Sequence, residues 1–151
     1  MQIESTKFGV ISAGAEEIIT FPRGLIGMSD LSRFALVPAA APQAGFYWLQ
    51  SADDPNVAFL VVDPGRFFKD YHVSIREETQ ADLDLADAKE GQLLVICNRI
   101  GEWVTGNLQG PLVINTRTQV GQQVVLTEKK WTCRQPLVRL EEAELAVSQA
   151  A

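Results

Sequence analysis

The chain contains one histidine, His72, and two cysteines, Cys97 and Cys133, and these are the side chains best suited to catalysis or metal binding. A Ser-His-Asp or Cys-His catalyst would have to use His72, but no nucleophile-elbow motif and no local cysteine accompany it. Three such side chains without a recognisable ligand spacing also fall short of a zinc site. We therefore predict no catalytic residue and no metal, with His72 exposed on a strand "YHVSI" and both cysteines as free structural thiols.

Paired carboxylates are a second possible source of chemistry. Acid–base catalysis by such a pair needs one member to be buried with a raised pKa. Each pair here lies in a polar stretch, so we interpret all of them as solvated. No glycine-rich phosphate or dinucleotide motif occurs, so we predict no cofactor and no enzymatic activity. The pairs are Glu16-Glu17, Asp53-Asp54, Glu77-Glu78 and Glu141-Glu142.

Length and charge narrow the class of protein. With 151 residues the chain is expected to form one domain, and its net charge of −6 lacks the basic footprint of a nucleic-acid module. An acidic surface fits a basic protein partner better, because opposite fields steer association. No apolar stretch approaches the ~18 residues of a membrane span, and no secretion signal opens the sequence. We predict a cytoplasmic protein with no membrane contact.

Short extended runs dominate the pattern. They are rich in β-branched and aromatic residues, are bounded by Gly, Pro, Asn and Asp, and recur about every ten residues. "PLVINTRT" and "QQVVLT" predict a hairpin in which Gly121 supplies a positive φ. "SIREETQADLDLADAKE" predicts a short acidic helix with a Ser74–Glu77 capping box, and "MSDLSRF" a single helical turn. We predict a mainly β, small antiparallel β-barrel-like domain over 1–139 with one or two short helices, followed by a C-terminal tail over 140–151. The strand pattern alone fits either a barrel or a sandwich.

The segment "DPGRFFKDY", residues 63–71, places three aromatic rings beside four charges in a loop that begins with Pro-Gly. The rings of Phe67, Phe68 and Tyr71 could close the barrel end, stack on nucleic-acid bases or hold a protein partner. Phe67 and Phe68 would point to opposite sides if the loop were extended. The acidic chain makes base stacking the weakest alternative, whereas barrel closure and partner contact stay open.

Several long segments in register resemble the bacterial flagellar assembly factor FliW family: "EEIITFPRGLIGMSDLSRFALVP", "FYWLQSADDPNVAFLVVDPGRFFKDY" and "NLQGPLVINTRTQVGQQVVL", with "WTCRQPL" similar to its last strand. The resemblance implies a non-enzymatic cytoplasmic barrel that binds the RNA-binding translational repressor CsrA and also flagellin. Free flagellin would take up the factor, so that released CsrA represses flagellin translation. The alternative from another class is a small nucleic-acid-binding β-barrel.

Position and composition suggest where partners bind. The quoted loop and the turn before it combine rings with charges, and "NLQGP" presents polar side chains ahead of a strand. We also expect the free protein to be a monomer that makes no direct contact with nucleic acid. The predicted contact residues are Asp53, Asp54, Asn56, Pro64, Phe67, Phe68, Asp70, Tyr71, Asn107 and Gln109.

Overall fold

A computed structural model describes residues 1–39 and 45–142 of the chain. Eleven strands are present in these residues. They are β1 (Gln2–Ser5), β2 (Gly9–Ser12), β3 (Ile18–Thr20), β4 (Arg33–Pro38), β5 (Phe46–Ser51), β6 (Ala58–Val62), β7 (Gly91–Ile100), β8 (Trp103–Gly106), β9 (Leu112–Asn115), β10 (Val120–Gln123) and β11 (Gln135–Arg139).

Seven of the strands close into a barrel, so the prediction of a mainly β, barrel-like domain is confirmed. The order β7-β6-β5-β4-β3-β10-β9 returns to β7, because Gly91–Leu94 of β7 pair with β9. Every pair is antiparallel except β3 with β10, which are parallel and joined at Thr20 and Val120. Closure removes strand edges that would otherwise be left exposed.

β7 is long enough to belong to two layers. Its first half lies in the barrel, and its second half, from Cys97 to Ile100, pairs with β8, which in turn pairs with β11. Leu49, Val61 and Leu112 are buried in the barrel core. A second core lies around Val95 and carries the rings of the 63–71 loop. The loop is therefore part of a packed layer beside the barrel.

Helical structure is sparse, as predicted, but its details differ. An α-helix, α1, spans Glu77–Asp82, and 3₁₀ turns cover Ala15–Glu17, Pro64–Arg66 and Ala88–Glu90. The Ser74 capping box is wrong, because α1 starts after Arg76 without a side-chain cap. The helical turn in 28–34 is also wrong, since this stretch forms a turn and then enters β4. No helix among the described residues is long and apolar enough to cross a membrane.

The β9–β10 hairpin is confirmed, with Val120 opposite Asn115. The role predicted for Gly121 is wrong: the positive φ, 60°, belongs to Gln119 in the turn. Gly121 lies in the strand, where an added Cβ would come 2.6 Å from the ring of Phe21. Glycine is needed there for close packing of the barrel, and the turn strains a glutamine instead.

Two other expectations change. "YHVSI" is irregular and not a strand, although His72 is exposed as predicted. Residues 140–142 are helical, and the remainder of the predicted tail lies outside the described residues.

Candidate partner-binding surface

The loop after β6 is a chain of tight turns. The Asp63 carboxylate accepts a hydrogen bond from the Gly65 N–H at 2.9 Å, and the N–H groups of Phe67 and Phe68 both donate to the Pro64 carbonyl. The loop is therefore not extended, and its winding brings Phe67 and Phe68 onto one core, whereas an extended loop would have directed them to opposite sides. Pro64 is buried beneath the turn.

Each ring of the loop has a defined aromatic partner. The Phe67 ring lies edge-on to Phe46, with centroids 6.1 Å apart. Phe68 and Tyr71 both contact Trp131, at 5.1 and 5.3 Å. All three loop rings are half-buried, which answers part of the question raised by the sequence: they pack the outer layer and leave only part of their surface for a partner.

Tyr71 connects this loop to the "NLQGP" segment. Its hydroxyl donates to the Leu108 carbonyl at 2.7 Å. Burial raises the pKa of the Tyr71 phenol well above its usual range, and the nearby negative charge of Glu128 adds to this. The phenol therefore stays protonated and remains a donor at neutral pH.

The "NLQGP" segment is itself a turn. The Asn107 side-chain oxygen accepts from the N–H groups of Gln109 and Gly110, at 3.2 and 3.0 Å. The Gln109 carbonyl accepts from Leu126 at 2.7 Å. The structure thus brings the predicted contacts 64–71 and 107–109 together at one end of the barrel. We call this surface, residues 63–71 and 107–110, the loop end.

The charges of the loop end itself balance, and the neighbouring segment 127–135 adds a local excess of positive charge in an acidic protein. The segments 63–71 and 127–135 contain five basic residues and three acidic ones: Arg66, Lys69, Lys129, Lys130, Arg134, and Asp63, Asp70, Glu128. Lys130 donates to the Asp70 carboxylate at 2.7 Å, and this hydrogen bond lowers the pKa of Asp70. The ion pair is exposed, so it orients the two segments more than it stabilises them.

The other predicted contacts lie at the opposite end of β6, in the turn from β5. The Ser51 hydroxyl accepts from the N–H groups of Asp53 and Asp54, and the Asp54 carboxylate accepts from Asn56 at 2.9 Å. Asp53 pairs with Arg33 at 2.6 Å. The turn interpretation is confirmed, but the structure does not bring this turn, residues 51–57, to the loop end.

Beneath that turn lies a buried glutamine that sequence reasoning missed. Gln50 is fully buried, and its side-chain nitrogen lies 3.1 Å from the carbonyls of Ser51 and Val57. Its oxygen accepts from the Ser5 hydroxyl at 2.7 Å. The sequence contained a sign of this role, because the polar Gln50 ends the otherwise apolar run "FYWLQ". A polar side chain buried in such a strand is expected to be hydrogen-bonded.

Asn115 performs a similar role under the acidic segment. Its side-chain nitrogen donates to the Leu83 carbonyl at 2.7 Å, and its oxygen accepts from Arg117 at 2.9 Å. Arg117 also forms an exposed ion pair with Asp84. These bonds fix the segment after α1 against the β9–β10 turn, so its carboxylates are presented in a defined place.

The candidate chemical residues are not gathered together. Cys97 is buried and desolvation raises the pKa of its thiol to about 12, whereas Cys133 is exposed. In residues 1–39 and 45–142 no three His, Cys, Asp or Glu side chains are arranged to hold a metal ion.

Comparison with known proteins identifies the family. The sequence model described as FliW protein matches residues 2–137. The chain belongs to the FliW family. A relative from Caldanaerobacter subterraneus subsp. tengcongensis, described as flagellar assembly factor FliW, is 34% identical over 153 residues that cover 99% of this chain and 100% of that protein. A relative of the same description from Moorella thermoacetica is 35% identical over 142 residues, covering 92% and 89%.

A solved FliW structure shares the fold. The crystal structure of the flagellar assembly factor FliW superposes with a TM-score of 0.80 at 27% identity, covering 91% of this chain and 97% of the other. The resemblance seen in the sequence is thereby confirmed at the level of family and fold.

Proposed function

We propose that this FliW-family chain acts in flagellar assembly as a non-enzymatic cytoplasmic regulator. It binds the translational repressor CsrA, antagonises repression of flagellin translation, and exchanges CsrA for flagellin as flagellin accumulates. The observation that carries the proposal is the family match over residues 2–137, together with relatives described as flagellar assembly factors. In the free state we expect a monomer.

The charge of the protein supports an encounter with an RNA-binding partner. A net charge of −6 favours approach to a basic protein, and the segment 76–90 contributes six carboxylates against Arg76 and Lys89. When this acidic protein is docked beside the RNA site of CsrA, its negative charge repels the phosphates of RNA without occupying the site. A coupling of ~1–3 kcal/mol would weaken RNA binding about five- to 150-fold.

The loop end is our candidate contact surface. Its rings are held by Phe46 and Trp131 and need little reordering on binding, which lowers the entropic cost of association. Lys69 and Asp70 are exposed beside them. Pro64 is buried, so we assign it a supporting role in the turn. The turn at 53–56 would be a separate contact.

Isothermal titration into purified CsrA from the same organism, with and without prior flagellin, tests the proposal. We expect binding to CsrA that prior flagellin abolishes. Binding that flagellin leaves unchanged would keep the antagonist role and refute the exchange. Failure of both folded partners to bind would refute the proposed function, and a salt-dependent shift of RNA by this chain alone would favour the nucleic-acid-binding barrel.

A charge reversal tests the contact surface. Lys69→Glu lies at the exposed rim of the loop end, and Lys7→Glu is a matched reversal on the β1–β2 hairpin. We expect the Lys69 variant to change affinity for a partner about tenfold or more, and the Lys7 variant to follow the wild type within about threefold. Equal effects of the two variants would place the contact surface elsewhere.

A further inference from the structure

After β10 ends at Gln123, the chain keeps an alternating pattern of backbone hydrogen bonds on one side only. The Val124 and Leu126 N–H groups donate to the carbonyls of Pro111 and Gln109, at 3.0 and 2.7 Å. These bonds extend the register in which Val120 faces Asn115. Pro111 has no N–H to return a bond, so the pairing is one-sided and β10 itself ends at Gln123.

The other side of this strand loses its neighbour at a proline. β3 pairs with β10 only at Thr20 and Val120, with the Thr20 N–H donating to the Gln119 carbonyl at 2.9 Å. In a parallel ladder the next donor would be residue 22, which is Pro22 and has none. Alternate residues along a strand direct their N–H and C=O to opposite sides. The N–H and C=O of Val125 therefore point away from β9. Among residues 1–39 and 45–142, neither group has a backbone hydrogen-bond partner.

A groove runs beside this open edge, which we define as residues 122–127. Its volume is about 400 Å³, with the open edge on one side and residues 74–76, 78, 79 and 82 on the other. Arg23 also lines the groove, and its guanidinium forms an ion pair with the Asp82 carboxylate at 2.9 Å. Val125 and, in the neighbouring turn, Ile26 are each 63% exposed. The open edge thus combines outward backbone groups with exposed apolar side chains.

The other free edge of the sheet shows how this protein protects a strand that should not pair. β11 carries Pro136 and a register shift between Pro136 and Val138, and it ends at the charged Arg139. Proline, bulges and charge are the usual means of blocking edge pairing. From Gln122 to Thr127 the open edge has no proline and no charged residue. An unprotected edge beside a groove is suited to accept a strand.

We propose that the open edge binds an extended segment of a protein partner, which adds to β10 as a new strand. Outward N–H and C=O groups at alternate positions are complemented by another peptide backbone. The exposed Val125 and Ile26 call for an uncharged, β-branched or aromatic side chain in that segment. The identity of the partner rests on the proposed function, so CsrA and flagellin are the proteins to test.

Hydrogen exchange of individual backbone amides, measured by NMR on the full chain, gives a specific readout. In the free protein the amide hydrogens of Val124 and Leu126 exchange slowly, because they are bonded to carbonyls of the segment that precedes β9. Those of Val125 and Thr127 exchange fast. Strand addition by a bound partner slows Val125 and Thr127 by about tenfold or more and leaves Val124 and Leu126 nearly unchanged. Binding without this alternating protection overturns the strand-addition proposal and leaves the proposed function intact.

Two further outcomes are decisive. If neither CsrA nor flagellin binds, the proposed function fails, and the strand-addition proposal that rests on it fails too. If the free protein forms a concentration-dependent dimer that protects Val125 and Thr127, the open edge is a self-association site and the proposal is overturned.

Paired variants at one position test the backbone contact itself. Val125→Pro removes the outward N–H without removing a bond to β9, and Val125→Thr keeps both the N–H and the branched shape. We expect the proline variant to bind the partner at least about tenfold more weakly, and the threonine variant within about threefold of the wild type. Unchanged slow exchange of Val124 and Leu126 confirms that the proline variant is folded. Equal affinities of two folded variants overturn the proposal.

Discussion

The two ends of β6 are both closed by tight turns, but they are held by different forces. At the 51–57 turn, the buried Gln50 side chain lies against backbone carbonyls and is bonded to Ser5. At the loop end, aromatic rings pack on Trp131. The hydrogen bonds at the 51–57 turn fix backbone positions. The tilted and edge-on rings at the loop end are only half-buried, so part of their surface faces solvent. The comparison teaches that only the loop end presents half-buried aromatic rings, which is why we take it as the candidate surface for a partner.

Removing the central ring of the loop end has the largest expected effect on this comparison. Trp131→Ala deletes a buried indole that contacts Phe68 and Tyr71, and we expect a loss of about 3–5 kcal/mol in the free energy of unfolding. Urea denaturation measures it. Trp103→Ala is the matched control, because that indole is 38% exposed. Similar losses in both variants would show that Trp131 does not hold the loop end.

The glutamine of the opposite end comes next. Gln50→Met keeps the volume but removes the polar atoms that satisfy Ser5 and the turn carbonyls, so we expect a loss of about 1–3 kcal/mol. Thermal and urea unfolding measure the change, with the exposed Gln92→Met as control. A neutral result would mean that water replaces the amide and that the 51–57 turn is held by other contacts.

The hydroxyl that joins the two segments of the loop end contributes less. Tyr71→Phe removes the bond to the Leu108 carbonyl, and we expect a loss of about 0.5–1.5 kcal/mol at neutral pH. Tyr47→Phe is the control, because the Tyr47 hydroxyl forms no hydrogen bond with residues 1–39 and 45–142.

The same tyrosine makes the stability depend on alkaline pH. Folding raises the pKa of Tyr71 above the ordinary value of about 10, so its contribution is complete below pH ~10 and is lost as the pH rises beyond that. The stability difference between wild type and Tyr71→Phe should therefore shrink above pH ~10 in urea titrations. A difference that stays constant to pH 11 would contradict the buried, neutral phenol.

The smallest effect is expected at the surface of the 51–57 turn. Asp53→Asn breaks the exposed ion pair with Arg33, and we expect a loss of about 0.2–1 kcal/mol that decreases in high salt. Asp30→Asn, another exposed site, controls for net charge. A loss well above this range would show that the ion pair organises the turn along with the Gln50 side chain.

Local sequence patterns predicted the parts of the fold that depend on neighbours in the chain. Alternation predicted the β9–β10 hairpin, and Asp-Asp-Pro-Asn predicted the turn after β5. The partners that complete the loop end lie far away in sequence: Phe68 meets Trp131, and Tyr71 meets Leu108. No local pattern encodes such pairs. The family resemblance supplied the global fold, because it compares whole chains.

The candidate site was predicted in composition but not in arrangement. The rings, charges and polar turns named from the sequence are present, yet Asp53, Asp54 and Asn56 lie at the other end of β6 from Phe67, Phe68 and Tyr71. The open edge escaped prediction because it depends on Pro22, which ends the pairing of β3 with β10 although the two strands lie far apart in sequence. Such an edge is visible only once the register is known.

The parallel join between Thr20 and Val120 also has a kinetic consequence. It closes the barrel by pairing residues separated by most of the barrel sequence, while β4 to β6 assemble through neighbouring hairpins. Contacts of such long sequence separation are slow to form, because the entropy of closing a large loop must be overcome first. We expect this seam to be the last part of the barrel to form during folding. In a nascent chain that lacks the residues beyond β9, one edge of β3 would have no partner strand. The barrel can therefore close only when β10 has been synthesised.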